Sequence, residues 1–312
     1  MSRYIAIRLF ELLGVLIAVS IITFLLMHAA PGGPYDEEML IKGRATEAIV
    51  KEIEAKYGLD KPLWQQYLTF VWRALHLDFG RCFMVSSETV LHLIGRVWPV
   101  SIHLGLMTAG VAIPLGLGLG ILAAIKRNTW IDYLASTVAV GGFVLPGFVV
   151  GVLLILTFSI WLDWLPTSGW DEPRQWIMPV MAYSLIPLAR VARFTRGCMV
   201  EVMGEDYVRT ARGMGLRERT VILVHVFRNA LIPLLTIVGP LLTDLVTGSL
   251  FIEILFRVPG LGQFFTLAIQ QRDYPLIMGT TLLWSSLIGL AILLTDILYA
   301  WADPRVRLIR ET

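Results

Sequence analysis

Along most of this chain the apolar residues neither alternate nor recur as stripes; they run on unbroken. Six runs approach the roughly 20 apolar residues that a helix needs to cross a bilayer: residues 9–27, 100–125, 134–161, 176–192, 230–250 and 276–301. The third is long enough to tilt or kink, and Pro146-Gly147 within it is the expected place; the fourth is the shortest. The pattern predicts an all-α integral membrane protein with six transmembrane helices and no soluble core of its own.

Two segments break the apolar run. Residues 28–98 mix charge with helical stripes. Ile49, Ile53 and Tyr57 recur among charged residues and stop at Gly58, as an amphipathic helix does. A second helix is expected from Pro62, with Trp64, Tyr67, Leu68, Val71 and Trp72 on one face. These helices suit either a cover lying on the membrane surface or a docking surface for an external partner. The second break is residues 193–229, rich in arginine and in good helix formers. Here residues 190–203 are expected to continue the fourth span. A short crosswise helix then starts at Glu205-Asp206, acids suited to a helix N-terminus, and stops at Gly215, suited to a left-handed C-cap. Residues 217–231 should climb back into the fifth span, with Val221, Leu223, Val224 and Phe227 on adjacent faces.

Composition agrees with the pattern: 56% of the 312 residues are hydrophobic and 16% charged, against about a quarter charged in an ordinary soluble domain. The net charge of +2 says little, but its distribution sets a topology. Fifteen Lys and Arg, counting Arg190 at the end of the fourth span, fall before the first span, between spans two and three, between four and five, and after the sixth; the short loops opposite hold Arg174, Arg257 and Arg272. Positive charge stays inside, so both termini are expected in the cytoplasm and the protein in the cytoplasmic (inner) membrane. Trp98, Trp130, Trp161, Trp164, Trp176 and Trp301 sit near span ends, where an aromatic belt forms. The first span is expected to be retained rather than cleaved, because Pro31 follows its only plausible processing point. The segments are then 1–28, the N-terminal start and first span; 29–98, the extracytoplasmic helical segment; and 99–312, the transmembrane core carrying the loop at 193–229.

Candidate chemistry is sparse. Cys82 and Cys198 fall on opposite sides of the expected membrane, so no disulfide is expected. No metal cluster, nucleophile–base set or nucleotide-binding G-x-x-x-x-G-K-[ST] appears. The "GLGLG" at 116–120 lies in a span, and Gly116 and Gly120 have the spacing of a helix-packing seam. Acids inside spans are costly and are functional candidates. Asp296 reads as a structural partner for a neighbouring helix. Asp244 suits either the amino terminus or basic side chain of a cargo, or an arginine of a partner chain. His103 reads as a satisfied interior residue.

The loop resembles the coupling loop of ABC importer permeases, whose general form is E-A-A, a glycine, then I-x-L-P. With Gly215 as the glycine, "RTA" at 209–211 and "HVFR" at 225–228 take the other places. Arg209 and Arg228 depart from the general form but match the peptide and nickel permease subfamily. So do "APGGP" (30–34), "LDFG" (77–80), "VPGLGQFF" (258–265), "RDYP" (272–275) and "DILYAWADPRVR" (296–307). The chain looks most like the B-type permease of an oligopeptide or dipeptide importer. That resemblance implies a second homologous permease, two cytoplasmic ABC ATPases and an extracytoplasmic peptide-binding protein as partners, besides membrane lipid, and no nucleic acid. It implies no cofactor on this chain, ATP and Mg being held by the ATPases. It implies ATPase coupling through Asp206, Arg209, Thr210, Ala211, Arg212, Gly213 and Gly215. An outer gate is expected at Phe256, Pro259, Gly260, Phe264 and Phe265, and Asp244 is placed in the substrate path. Nickel, glutathione or antimicrobial peptides are alternative cargoes. An ATPase-independent secondary transporter is the other reading, but it would want paired broken helices with ion ligands.

Overall fold

A computed structural model of the chain describes residues 2–30, 58, 60–83 and 88–302; side chains at 2–6, 140, 232 and 295–302 fall outside that description. Outside it too lies the helix expected around Ile49, Ile53 and Tyr57. The side chain of Asp296 is not described either, although its backbone belongs to the last helix.

The described residues are helical, with one isolated bridge between Arg81 and Thr89. In chain order the elements are α1 Ser2–Ala29, α2 Leu63–Leu75, α3 Val90–Ile125, α4 Trp130–Val144, α5 Gly147–Leu154 and a π-helical turn Ile155–Trp161. After these come α6 Pro173–Met203, α7 Asp206–Gly213, α8 Glu218–Thr220 and a second π-helical turn Val221–Phe227. The last are α9 Arg228–Val246, α10 Leu250–Leu255, α11 Leu261–Gln270 and α12 Tyr274–Ala302. Five helical segments are long and apolar enough to cross a membrane, and α4 with α5 makes a sixth if the bent pair is one span. That pair turns by 100° where the sequence has Pro146-Gly147. Leu145 is extended (φ −81°, ψ 120°), the conformation a following proline imposes.

Two helices outrun their apolar cores. α3 begins ten residues before the expected span because Val90, Leu93, Ile94 and Val97 recur at helical spacing and are buried. α6 is one helix of 31 residues that carries the fourth span on into the polar loop. Pro173 occupies its first turn, and Glu172 and Gln175 form a reciprocal capping box.

The chain divides into two compact units, residues 1–99 with 260–293 and residues 100–259 with 294–312. In the first, Phe24, Leu93, Leu261 and Leu276 form the core, and Tyr67 and Phe70 of α2 pack on it. The face expected on α2 therefore splits. Tyr67 turns inward, whereas Trp64, Leu68 and Trp72 join Leu75 in an exposed ridge, each more than half accessible. α1 likewise leaves Phe10, Leu13, Ile22 and Leu26 uncovered, as a face turned to lipid requires.

In the second unit α6 is the hub, against which α4, α5 and α9 pack. Gly116 and Gly120 of α3 form the expected seam with α6. A Cβ on Gly120 would stand 2.6 Å from the carbonyl oxygen of Ala192, so the two backbones meet where a side chain would hold them apart.

Candidate functional site

The polar loop folds as the short helix α7 between α6 and the ascent through α8 to α9. Val208 and Ala211 of α7 are buried, in a cluster with Met199 of α6, Ala124 of α3, and Val221, Ile222 and Val226 of the π-helical turn. Tyr207 accepts a hydrogen bond of 3.0 Å from Asn229 Nδ2. The opposite face carries Asp206, Arg209, Thr210 and Gly213, all exposed and spaced three, four and seven along one helix face. Ala211, expected among the coupling contacts, instead faces inward at 2% exposure and anchors the helix.

Gly215 ends α7. Its φ is +77°, and the amides of Gly215 and Leu216 donate to the carbonyls of Arg212 and Ala211. That is the Schellman pattern, with glycine at the left-handed position. Gly213 is the last helical residue and Met214 the cap. Across the turn, Arg212 grips Glu218 with two hydrogen bonds, Nε at 3.2 Å and Nη2 at 2.8 Å. Arg212 is thus committed within the chain, whereas Arg209 has only a loose 3.5 Å approach to Asp206. Of the two arginines expected to meet a partner, Arg209 is the more loosely held within the chain.

The Arg212 guanidinium holds the Glu218 carboxyl below the usual range, and Glu218 raises Arg212 in return. A carboxyl whose pKa is depressed on folding contributes stability that is present above its unfolded value and lost as pH falls through the folded one. Amide protection at Gly215 and Leu216 should therefore exceed that of Glu218→Gln at neutral pH, and the two should converge below the carboxylate range. Hydrogen exchange followed by mass spectrometry on both proteins checks this. The pair is exposed, so a small difference is expected.

The ascent departs from the expected periodicity. Residues 221–227 form a π-helix, and its i→i+5 bonds put Val221 and Val226 on the same side. Val221, Ile222 and Val226 are buried, while Leu223 and Val224, expected on faces adjacent to Val221, are 58% and 48% exposed. A count based on 3.6 residues per turn misplaces them for that reason.

One tie between α4 and α6 is not visible in the sequence. Arg196 donates to both carboxylate oxygens of Asp132, at 2.6 and 2.8 Å, and the Asn128 amide adds a bond of 2.9 Å. Asp132 is 3% exposed. This bidentate pair fixes the part of α6 that leads into α7.

Asp244 lines a groove of ≈ 340 Å³ in the second unit with Tyr183, Pro187, Arg190, Leu241 and Phe251. The Tyr183 hydroxyl donates to its backbone carbonyl at 3.3 Å, which leaves the carboxylate exposed. The acid buried most fully in this region is another one. Glu253 is 0% exposed and accepts from Ser101 Oγ at 2.8 Å and the Ser249 amide at 3.3 Å. It braces the break between α9 and α10, where Gly248 has φ +96°.

The aromatic residues expected at an outer gate each pack within their own unit. Phe256 is 1% exposed in the core with Met178 and Val258, because α10 ends in a Schellman turn with Arg257 left-handed at φ +52°. Pro259 and Gly260 lead into α11, with Gly260 as its N-cap. Phe264 and Phe265 pack on the core of the first unit. "RDYP" is a helix junction: Arg272 is left-handed, and Asp273 Oδ1 caps α12 by accepting from the Leu276 amide at 3.1 Å.

His103 lies edge-on to Trp176 and Trp170, 4.9 and 5.5 Å away. Cys82 and Cys198 are free thiols, and burial pushes Cys82 up to about 12. Among the described residues no group of His, Cys, Asp and Glu could hold a metal.

Comparisons with known proteins agree with this arrangement. Residues 116–308 match the family described as the binding-protein-dependent transport system inner membrane component, and residues 1–104 match its N-terminal counterpart. The chain is similar to the dipeptide transport system permease protein DppB of Bacillus subtilis (strain 168), with 39% identity over all of both chains. It is also similar to the oligopeptide transport system permease protein OppB of Escherichia coli (strain K12), with 38% identity over 98% of this chain and all of that one. Among solved structures, a chain of the inward-facing MetNI methionine ABC transporter covers 68% of this chain and 97% of its own, with TM-score 0.54 and 17% identity, a likeness of fold. A full-length match to these permeases, on an array of apolar helices with an ordered short helix, makes the chain an integral membrane protein that belongs to the binding-protein-dependent transport system inner membrane components.

Proposed function

We propose that this chain is one of two permease halves of an ATP-driven importer of short peptides. A second, similar permease completes the passage, two cytoplasmic ABC ATPases sit beneath the exposed face of α7, and an extracytoplasmic binding protein delivers the cargo. Both termini and α7 are cytoplasmic, as the fifteen basic residues on that side require. The observation that carries the cargo is the full-length similarity to permeases named for dipeptides and oligopeptides. The observation that carries the coupling is α7 itself, held rigid by Val208, Ala211 and the Arg212–Glu218 clasp, with Asp206, Arg209 and Thr210 turned outward.

In mechanism, closure of the ATPases draws the coupling helices of the two permeases together. Because α6 is continuous and tied to α4 by Arg196–Asp132, that displacement passes into the spans as rigid-body rocking. Gly215 and the π-helical turn allow the chain to reverse into α9 without loosening α7. The exposed α2 ridge of Trp64, Leu68, Trp72 and Leu75 rests on the external membrane surface, where tryptophan is favoured.

The test is import by the complex that co-purifies with this chain from its own membranes, reconstituted into vesicles with ATP. Uptake of a labelled tripeptide that requires ATP and the binding protein supports the proposal. Uptake of nickel or glutathione, with none of peptide, would replace the cargo; uptake without ATP would remove the mechanism.

A further inference from the structure

The groove that holds Asp244 is lined by one acid and one base. Arg190 of α6 and Asp244 of α9 both line it, both are exposed, and neither makes an ion pair among the described residues. Most of the remaining lining is apolar, with Pro146, Phe148, Leu241 and Phe251 among it. Resting on the peptide reading above, we propose that this groove is a zwitterion site for short peptides. Asp244 takes the free amino terminus, Arg190 takes the free carboxylate, and the apolar wall takes side chains without selecting among them.

The spacing supports this. The Tyr183 hydroxyl bonds the Asp244 carbonyl and so ties α6 to α9 beside the groove. Arg190 lies seven residues beyond Tyr183 on the same helix, which is two turns along one face and a rise of about 10 Å. An extended chain covers at most about 3.5 Å per residue, so the termini of a tripeptide stand roughly that far apart. A dipeptide is met by the reach of the arginine side chain. The guanidinium suits the carboxylate, which it grips with two parallel hydrogen bonds. A volume of ≈ 340 Å³ lies within the usual range for small-molecule sites. Because α6 runs on from Arg190 toward α7, a bound peptide points its carboxyl end toward the coupling helix.

Substituting either residue alone should leave the fold intact, since the Tyr183 bond goes to the backbone of Asp244 and both side chains are exposed. The experiment uses the assembled complex without its binding protein, so that selection by that protein does not enter. Equilibrium dialysis measures binding of labelled trialanine, its N-acetyl derivative and its C-terminal amide. The intact complex should bind free trialanine about tenfold more tightly than either capped form, the scale of one charge-assisted contact. Asp244→Asn should abolish the penalty for acetylation and leave the penalty for amidation. Arg190→Gln should do the reverse, and Asp244→Glu should retain the wild-type pattern. Equal affinities for the three ligands, no binding of trialanine, or a uniform loss in both variants overturns the proposal. So does failure of either variant to hold the second permease, which would mark these residues as contacts between the two halves. A complex that imports trialanine in vesicles yet shows any of these results keeps the peptide reading and loses only the groove. A complex that imports no peptide loses the peptide reading first.

Discussion

Replacing Gly215 by valine is expected to cut ATP-driven import about tenfold while the permease stays in the membrane and the complex still hydrolyses ATP. At φ +77° the glycine has no neighbour within 4 Å of the point where a Cβ would stand, so the substitution meets no steric wall. The cost is in the backbone alone. A left-handed conformation costs an L-residue about 1–2 kcal/mol, and more for a β-branched one. A cost of that size changes the population of the intact turn by a factor of roughly 5–30. Once the turn opens, the Leu216 amide leaves Ala211 and the Arg212–Glu218 clasp loses its geometry. α7 then keeps its sequence but not its angle to α6. Gly215→Ala should be milder, and Gly213→Ala, at a helical position open to space, should be close to neutral. Import and phosphate release measured on the same vesicles check this: import should fall far more than hydrolysis.

The location of α7 is legible in the sequence because its signals are local. Two acids at the start, a run of helix formers and a glycine at the end fix 206–215 within a few residues, and the helix found is Asp206–Gly213 with Gly215 left-handed. The bend at Pro146-Gly147 and the Gly116–Gly120 seam are legible for the same reason. What the sequence hides is any partnership across distance. Asp132 reads as a charge just after Trp130, and Arg196 as one more cytoplasmic arginine, yet they meet across 64 positions. Glu253 sits in what reads as an outer loop, although the chain folds over it until nothing remains exposed. Arg190 reads only as one more positive charge, and its place in one groove with Asp244 emerges once α6 and α9 are packed. The π-helical turn misleads in another way, since the five-residue repeat of Val221 and Val226 resembles neither helix nor strand periodicity. Phe256 misleads because an aromatic beside Pro259-Gly260 looks like a loop residue, whereas the Schellman turn of α10 drives it into the core.

The second large effect is expected at the Asp132–Arg196 pair. Arg196→Ala strips a carboxylate that is 3% exposed of both guanidinium bonds. Removing one partner of a fully buried pair costs about 3–5 kcal/mol; Arg196 is 31% exposed, so the cost here falls below that range, though it is still a sizeable share of the stability of most proteins. The variant should melt well below the parent in detergent and accumulate poorly in membranes. Arg196→Lys should fall between, because an ammonium cannot reproduce the two parallel bonds. The double substitution Asp132→Asn, Arg196→Ala should recover part of the loss, since the stranded charge is gone. Thermal melts of the three variants check the order. If Arg196→Ala melts with the parent, the pair carries none of this stability.

On the proposed function, the exposed face of α7 is where this chain meets the motor. The most direct measurement is site-specific cross-linking in inside-out vesicles, with Cys82 and Cys198 replaced by serine. A cysteine at Arg209, which is exposed and held only loosely, should join an ATPase subunit through a short bifunctional thiol reagent. A cysteine at Trp64, on the exposed ridge of α2, should not. Cross-links from position 209 to the ATPase with none from position 64 are the predicted result. An intact, ATP-hydrolysing complex in which position 209 never cross-links to an ATPase would contradict the account.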